Sequence, residues 1–373
     1  MLKIDRRLIL NFDWGLLAAA VLVIACGLMT VLSATHVPGR LMSGLFTRQL
    51  IWATMGMIGL LAAISFDYHW LERYAYFIYA AAVLLLIMTA VLGASGGGAR
   101  RWIALGPVTI QASEFAKLAL VLALARHLHR HVGEHPLALR SVGVSVLLFA
   151  PAALLILKQP DLGTAVALGI MVAGLLLLAG LRLRLVVLLA AVLIPAAPLV
   201  WHHLKPYQQR RVMTFIDPNA DPLGAGYHII QSKIAIGSGM LDGKGFLHGT
   251  QNRLNFLPEQ HTDFIFSVFA EEWGFLGGAT LVALYLLLML RCLSVAMRAR
   301  DTFGMLLAFG ITVMIFGQVL VNIGMATGSL PVVGITLPFF SYGGSSLLAS
   351  MIAIGLLLNI SMRRFTFASS GLS

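Results

Sequence analysis

Apolar residues collect along the chain into long uninterrupted runs separated by short polar joints. A bilayer core of about 30 Å takes roughly 20 apolar residues in a helix. Ten such runs stand out, at about 14–34, 49–66, 74–93, 114–128, 140–158, 161–180, 184–202, 263–290, 302–327 and 339–361. Two joints depart from the pattern. "GASGGGARRWIALGPVTIQASEFAK", between the third and fourth runs, alternates around Gly106-Pro107 and predicts a small interfacial hairpin or re-entrant turn. The other is long, 203–262, where Pro206, Pro218 and Pro222 forbid one continuous helix. Its second half carries Gly237, Gly239, Gly243, Gly245 and Gly249, which read equally as flexible loop or as backbone passing close to a ligand. The expected fold is an all-α integral membrane protein: a polytopic bundle of about ten transmembrane helices, one domain over 1–373, with one large extracytoplasmic loop at 203–262.

Composition supports this class. The chain is 59% hydrophobic and 11% charged, with a mean hydropathy of +0.90, against roughly 45–50% and 25% in a soluble protein. A threading with both termini in the cytoplasm puts Lys3, Arg6, Arg7, Arg73, Arg126, Arg130, Arg140, Arg182, Arg184, Arg291, Arg298, Arg300, Arg363 and Arg364 inside. The short outer loops then hold only Arg40, Arg48, Arg100, Arg101 and Lys158, the bias that sets orientation. That bias also accounts for most of the net charge of +11, so nucleic acid is not an expected partner. The first run is too long for a cleavable signal and is expected to stay as an anchor. Cys26 and Cys292 sit too far apart in the threading to pair and lack metal-ligand company.

Candidate chemistry centres on "NFLPEQHTDFIFSVFAEEWGFLGG", residues 255–278, where a polar loop runs directly into a membrane helix. A carboxylate in or near hydrocarbon costs several kcal/mol unless paired or hydrated. Asp263 reads either as the cap of the eighth span or as a functional acid. Asp263, Ser267, Ala270 and Gly274 share one small, partly polar helix face that suits a cavity or a close helix contact. Glu271 lies near the edge of that face and Glu272 opposite, one of them a structural partner. In "SEFAKLAL", Glu114 and Lys117 are three apart and can pair, as a clasp between helices or as a held cation for an anionic substrate. Arg101 and Trp102 read as interface anchors or as a phosphate grip. Asp161 in "KQPDLGT" fits an ordinary helix start, and "LPFFSYGGSSLL" a bent or tightly packed one. "RHLHRHVGEHP" reads as solvated loop.

Taken together, "NFLPEQHTDFIFSVFAEEWGFLG", "RWIALGPVTIQASEFAKLAL", "KQPDLGTA", "QSKIAIGSGMLDGKGFLHGTQ" and "LPVVGITLPFFSYGGSSLL" resemble, in order and over nearly the whole chain, the SEDS family (shape, elongation, division and sporulation) of bacterial cell-wall proteins. The elongation members are the nearer match, because the loop reads "GTQNRLNFLPEQHTDF" and no long cytoplasmic extension precedes the first span. The resemblance implies a ten-span peptidoglycan glycosyltransferase in the inner membrane of a bacterium, polymerising lipid II at the outer face. It would work with a class B penicillin-binding protein and the elongation machinery. The family's essential acid falls on Asp263 and its intramembrane ion pair on Glu114 and Lys117. Arg101, Trp102, Asp161, Lys244 and His261 fall in the matched segments as supporting or pyrophosphate-binding residues. A divalent cation, Mg²⁺ or Mn²⁺, with ligands the resemblance does not specify, is expected, and no organic cofactor. One departure is Thr336, where a second proline-like turn residue is often found. A lipid II flippase and a non-catalytic scaffold for the transpeptidase are the alternative readings.

Overall fold

Nine of the ten predicted spans coincide with helices in the computed structural model, which describes residues 11–36, 42–96, 99–105, 108–133, 137–182, 184, 187, 191, 206–218, 224–254, 256, 257 and 259–364. The predicted span 184–202 lies outside the described residues apart from Arg184, Val187 and Ala191. In chain order the elements are α1 (Trp14–Ala34), α2 (Gly44–Ser65), α3 (His69–Leu92), strands β1 (Ala94–Gly96), β2 (Ala99–Leu105) and β3 (Val108–Gln111), α4 (Ala112–Leu128), α5 (Leu139–Lys158) and α6 (Leu162–Leu178). There follow α7 (Pro206–Ile216), α8 (Ala225–Ser238), α9 (Thr250–Arg253), α10 (Ile265–Met297), α11 (Thr302–Ala326) and α12 (Gly344–Met362). Seven of these, α1, α2, α3, α5, α10, α11 and α12, are long and apolar enough to cross a membrane. α4 and α6, at 17 residues each, are shorter.

Local chemistry starts the helices. Asp13 accepts from Leu16 N at 2.9 Å, Ser43 from Phe46 N at 3.1 Å, Asp161 from Thr164 N at 3.2 Å and Asp301 from Gly304 N at 2.8 Å. Each satisfies a first-turn N–H that has no partner inside its helix. α4 is buried on nearly every side, which makes it the hub of the bundle. α2, α3 and α5 instead turn large apolar residues outward, among them Phe77, Leu92, Leu139 and Leu147, as lipid-facing helices do. α2 and α12 pack closely through small residues. A Cβ at Gly355 would stand 2.7 Å from Leu60 O, and one at Gly344 would enter the Trp52 ring. The predicted hairpin is present as β2 against β3, with β1 added on its other edge. Its Gly106-Pro107 turn lies outside the described residues.

The long segment ahead of α10 is built into the bundle. α7 starts at Pro206, whose missing N–H costs nothing at a first helical position. α8 buries Ile229, Ser232 and Ala235; Ser232 Oγ shares a hydrogen bond with Ser267 Oγ of α10 (2.6 Å) and reaches Ala326 O of α11 (2.5 Å). The small face of α10 is therefore a close helix contact.

α10 is two helices joined at Gly274, whose φ of 64° and ψ of −164° belong to a region that essentially only glycine occupies. The glycine-rich loop supplies the hydrogen bonds that the break removes. Lys244 N and Gly245 N donate to Glu271 O (3.0 Å) and Glu272 O (2.9 Å), while Phe275 N and Leu276 N donate to Met240 O (2.8 Å) and Leu241 O (3.1 Å). Such contact needs bare backbone, since a Cβ at Gly239 would lie 2.1 Å from Ala270 O and one at Gly243 2.2 Å from Glu272 O. Residues 264–272 are all buried, whereas Trp273, Phe275 and Leu276 are exposed. The lipid-facing part of α10 thus begins at the break, and 275–297 alone, about 34 Å at 1.5 Å per residue, is long enough to cross. Gly274→Ala is expected to destabilise the protein by at least about 2 kcal/mol, from strain plus the clash with Gly243 N. A lowered thermal unfolding midpoint in detergent checks it.

Candidate active site

Asp263 lies in the turn 259–264, ahead of α10 and outside its lipid-facing part. The cap position of α10 is Phe264, and no side chain caps that helix. The capping role considered for Asp263 is therefore not what the structure shows. The turn is held from several sides. Glu259 O accepts from Thr262 N (3.2 Å) and Asp263 N (3.1 Å), Ser341 Oγ donates to Thr262 O (2.6 Å), and Tyr342 N donates to His261 O (2.8 Å). Asn322, fully buried on α11, donates its side-chain amide to Asp263 O (3.0 Å) and Ile335 O (2.6 Å). Gly334, at φ 73°, brings bare backbone against the carboxylate: a Cβ there would stand 3.3 Å from Asp263 Oδ2.

The surroundings favour a protonated Asp263 more than water does. Burial, reinforced by the charge of Glu259, raises its pKa from 3.8 to about 7, opposed by Arg211 of α7; Asp161 adds to the rise and Arg101 of β2 opposes it. His261 rests against Tyr342, with ring centroids 5.5 Å apart, and burial lowers its pKa against the pull of Glu259, so the imidazole is neutral at neutral pH. Arg211 and Glu259 escaped the sequence reading, although Glu259 stands one turn before Asp263 in "PEQHTD" and Arg211 follows a helix-starting proline.

The other predicted residues fall into three groups. Arg101 donates Nε to Gln159 O at 3.0 Å and a terminal N–H to Pro160 O, fixing the turn before α6, while Trp102 sits on β2 opposite Ala94 and Gln111. Asp161, in that same turn, caps α6 and also accepts from Thr164 Oγ1 (2.9 Å). Glu114 and Lys117 form a buried ion pair, Nζ to Oε1 2.8 Å, with side chains 7% and 3% exposed. Hydrogen bonds link this pair's end of α4 toward Asp263. Gln111 N donates to Ser345 Oγ (3.0 Å) at the start of α12, neighbouring Ser346 accepts from Thr336 Oγ1 (3.0 Å), and Ile335 shares Asn322 with Asp263. An apolar groove of about 500 Å³ runs between α3, α4 and α12 past Leu71, Ile78, Leu85, Leu122 and Leu356, and reaches Phe115, between the two paired residues in sequence.

Lys244, expected as a supporting or pyrophosphate-binding residue, is engaged by the protein. Its Nζ lies 2.6 Å from Glu271 Oε1 and 2.7 Å from Thr250 Oγ1. Of the two following acids, both are structural partners: Glu271 Oε1 also accepts from Thr250 N, Thr250 Oγ1 and Gln251 N, and Glu272 accepts from Ser33 of α1. His127 and His131, expected in solvent, bond to the carbonyls of Ser141 and His127 at the end of α4. Among the described residues no three His, Cys, Asp or Glu side chains converge as metal ligands.

A membrane-spanning helical bundle with a partly buried acid at the edge of its lipid-facing zone, arginines within electrostatic reach and a buried ion pair on its central helix defines a polytopic membrane protein with a polar site at that edge. The family model described as "Cell cycle protein", covering FtsW, RodA and SpoVE, matches residues 13–365. The chain belongs to this family, SEDS. It is 44% identical over 328 residues to the peptidoglycan glycosyltransferase MrdB of Escherichia coli K12, covering 88% of each chain. It matches a chain of a peptidoglycan synthase complex that coordinates polymerization and crosslinking with a TM-score of 0.82 at 35% identity, covering 95% of this chain and 99% of that one. The rod shape determining protein RodA of Thermus thermophilus matches with a TM-score of 0.71 at 32% identity, over 95% and 98% of the two chains.

Proposed function

We propose that this chain is a peptidoglycan glycosyltransferase of cell elongation that polymerises lipid II at the outer face of the bacterial inner membrane, with both termini in the cytoplasm and Asp263 as general base. The observation that carries the reading is the likeness over most of both chains to a peptidoglycan glycosyltransferase. The environment of Asp263 supplies the chemistry.

The acceptor's 4-hydroxyl gives its proton to Asp263 as the oxygen attacks the anomeric carbon of the donor, inverting it from α to β. The bond to the undecaprenyl pyrophosphate breaks with its electron pair on the leaving oxygen. Because pyrophosphate is a good leaving group once its charge is met, one carboxylate suffices where glycosidases need two. Lys117, oriented by Glu114, and the N–H groups of Arg101 not used on Gln159 and Pro160 would meet that charge. Trp102, Asp161, His261 and Lys244 support these groups. The polyprenyl tail would lie in the apolar groove beside α4. A divalent cation, Mg²⁺ or Mn²⁺, would offset the charge that builds on the pyrophosphate. A class B penicillin-binding protein would cross-link the product.

A base whose pKa is raised to about 7 is half-protonated there, so polymerisation should climb through pH 7 to a plateau and be about thirty-fold below that plateau at pH 5.5. Initial rates from labelled lipid II between pH 5 and 9 test this. A rate flat from pH 5 to 8 would exclude Asp263 as the titrating base.

A further inference from the structure

We infer that Glu271 is a positioning residue for the reaction, an inference that rests on Asp263 being the base. The Glu271 carboxylate is fully buried and gathers four donors on one oxygen: Lys244 Nζ, Thr250 N, Thr250 Oγ1 and Gln251 N, at 2.6–3.1 Å. The bond from Thr250 N spans 21 positions of chain, and Asp263 lies inside that loop. On one side of the ring, Thr250 and Gln251 begin a turn that continues through Leu254 N to Thr250 O and Phe256 N to Gln251 O, after which Leu257 is buried in the core and the turn 259–264 follows. On the other side, two turns of α10 run from Asp263 to Glu271. Both approaches to Asp263 therefore end on the same carboxylate.

The ring is anchored to the membrane helix by the break at Gly274. Lys244 reaches Glu271 twice, through Nζ to the side chain and through its backbone N–H to the carbonyl (3.0 Å). The glycines at 239, 243 and 274 let the loop come this close. Lys244 thus acts through Glu271, without touching substrate. Holding a reacting carboxylate to within a fraction of an ångström is worth orders of magnitude in rate. Glu271 adds to that hold for a base carried on a short turn, whose own bonds to Glu259, Ser341, Tyr342 and Asn322 fix its backbone and not its two approaches.

The test uses the full chain with its penicillin-binding partner, comparing wild type, Glu271→Gln, Lys244→Met and Asp263→Asn in lipid II polymerisation, with rates taken per folded, lipid II-binding molecule. Glu271→Gln should lower kcat about ten- to a hundred-fold with KM within about two-fold, and should move the midpoint of the pH–rate profile. That midpoint reports the distances from Asp263 to Glu259 on its own turn, Arg211 of α7, Asp161 at the start of α6 and Arg101 of β2. A purely structural role would reduce the amount of folded protein while leaving kcat and midpoint per folded molecule untouched, and that result overturns the inference. Should Glu271→Gln fail to fold, Lys244→Met, which leaves the amide bonds to Glu271, decides. A drop in kcat of about three- to ten-fold at constant KM supports positioning, and wild-type kcat overturns it. An active Asp263→Asn would instead remove the base reading itself, whatever Glu271 does.

Discussion

Asp263→Asn is expected to reduce lipid II polymerisation by at least about 10²–10⁴-fold, the range a positioned general base contributes, while leaving a folded protein. Asparagine keeps the shape that fits against Gly334 and the backbone bonds to Asn322 and Glu259. The sign of the stability effect follows from the raised pKa. The folded carboxyl holds its proton up to about pH 7, whereas an unfolded one releases it near 3.8. The native state thus binds more protons over that interval, so stability falls as pH rises through it, and the loss is complete above 7. Asparagine does not ionise and escapes this loss. At pH 8 the variant should melt no lower than wild type, and at pH 4 the two should agree. A variant that is inactive and also melts well below wild type at pH 8 would mean that Asp263 acts chiefly in folding.

The second large effect concerns α4. Replacing Lys117 by Met strands Glu114 as an uncompensated charge at 7% exposure, a change that typically destabilises by about 3–5 kcal/mol. The double variant Glu114→Gln, Lys117→Met replaces the pair with neutral groups of similar size and should recover most of that stability. Its polymerisation should stay at least about a hundred-fold below wild type if, as proposed, Lys117 is the cation that meets the pyrophosphate. If the double variant polymerised at the wild-type rate, the pair would be a clasp between helices and nothing more.

Which of these features could be read from the chain alone follows from the range of the interactions that make them. Spans are legible because twenty apolar residues in a row have one stable solution in a bilayer, and the edges of the nine described ones agree with the helices to within seven residues. The β2–β3 hairpin is legible from local alternation and the Glu114–Lys117 pair from its spacing of three. The break in α10 is not, because the groups that compensate it, at 240, 241, 244 and 245, come from a loop some thirty residues earlier. The same long-range docking makes the glycine-rich stretch a tight backbone contact at Gly239 and Gly243. It also resolves the question of two glutamates deep in an apparent membrane helix: they lie above the lipid-facing part of α10, and each is hydrogen-bonded. The contact of Lys244 with Glu271 is hidden for a related reason, since the two are 27 residues apart. Asp161 shows the opposite case, where the local reading of a helix start describes its side-chain hydrogen bonds to Thr164.

The most direct test of the account is polymerisation of labelled lipid II by the purified protein with its penicillin-binding partner, whose transpeptidase is blocked and which has no glycosyltransferase domain. Wild type and Asp263→Asn are compared at pH 8 with and without divalent metal. Long glycan strands from wild type alone are the predicted result. Strands from both proteins would contradict the role of Asp263, and strands from neither, in a folded complex that binds lipid II, would contradict the polymerase reading and leave lipid transport or a scaffold in its place.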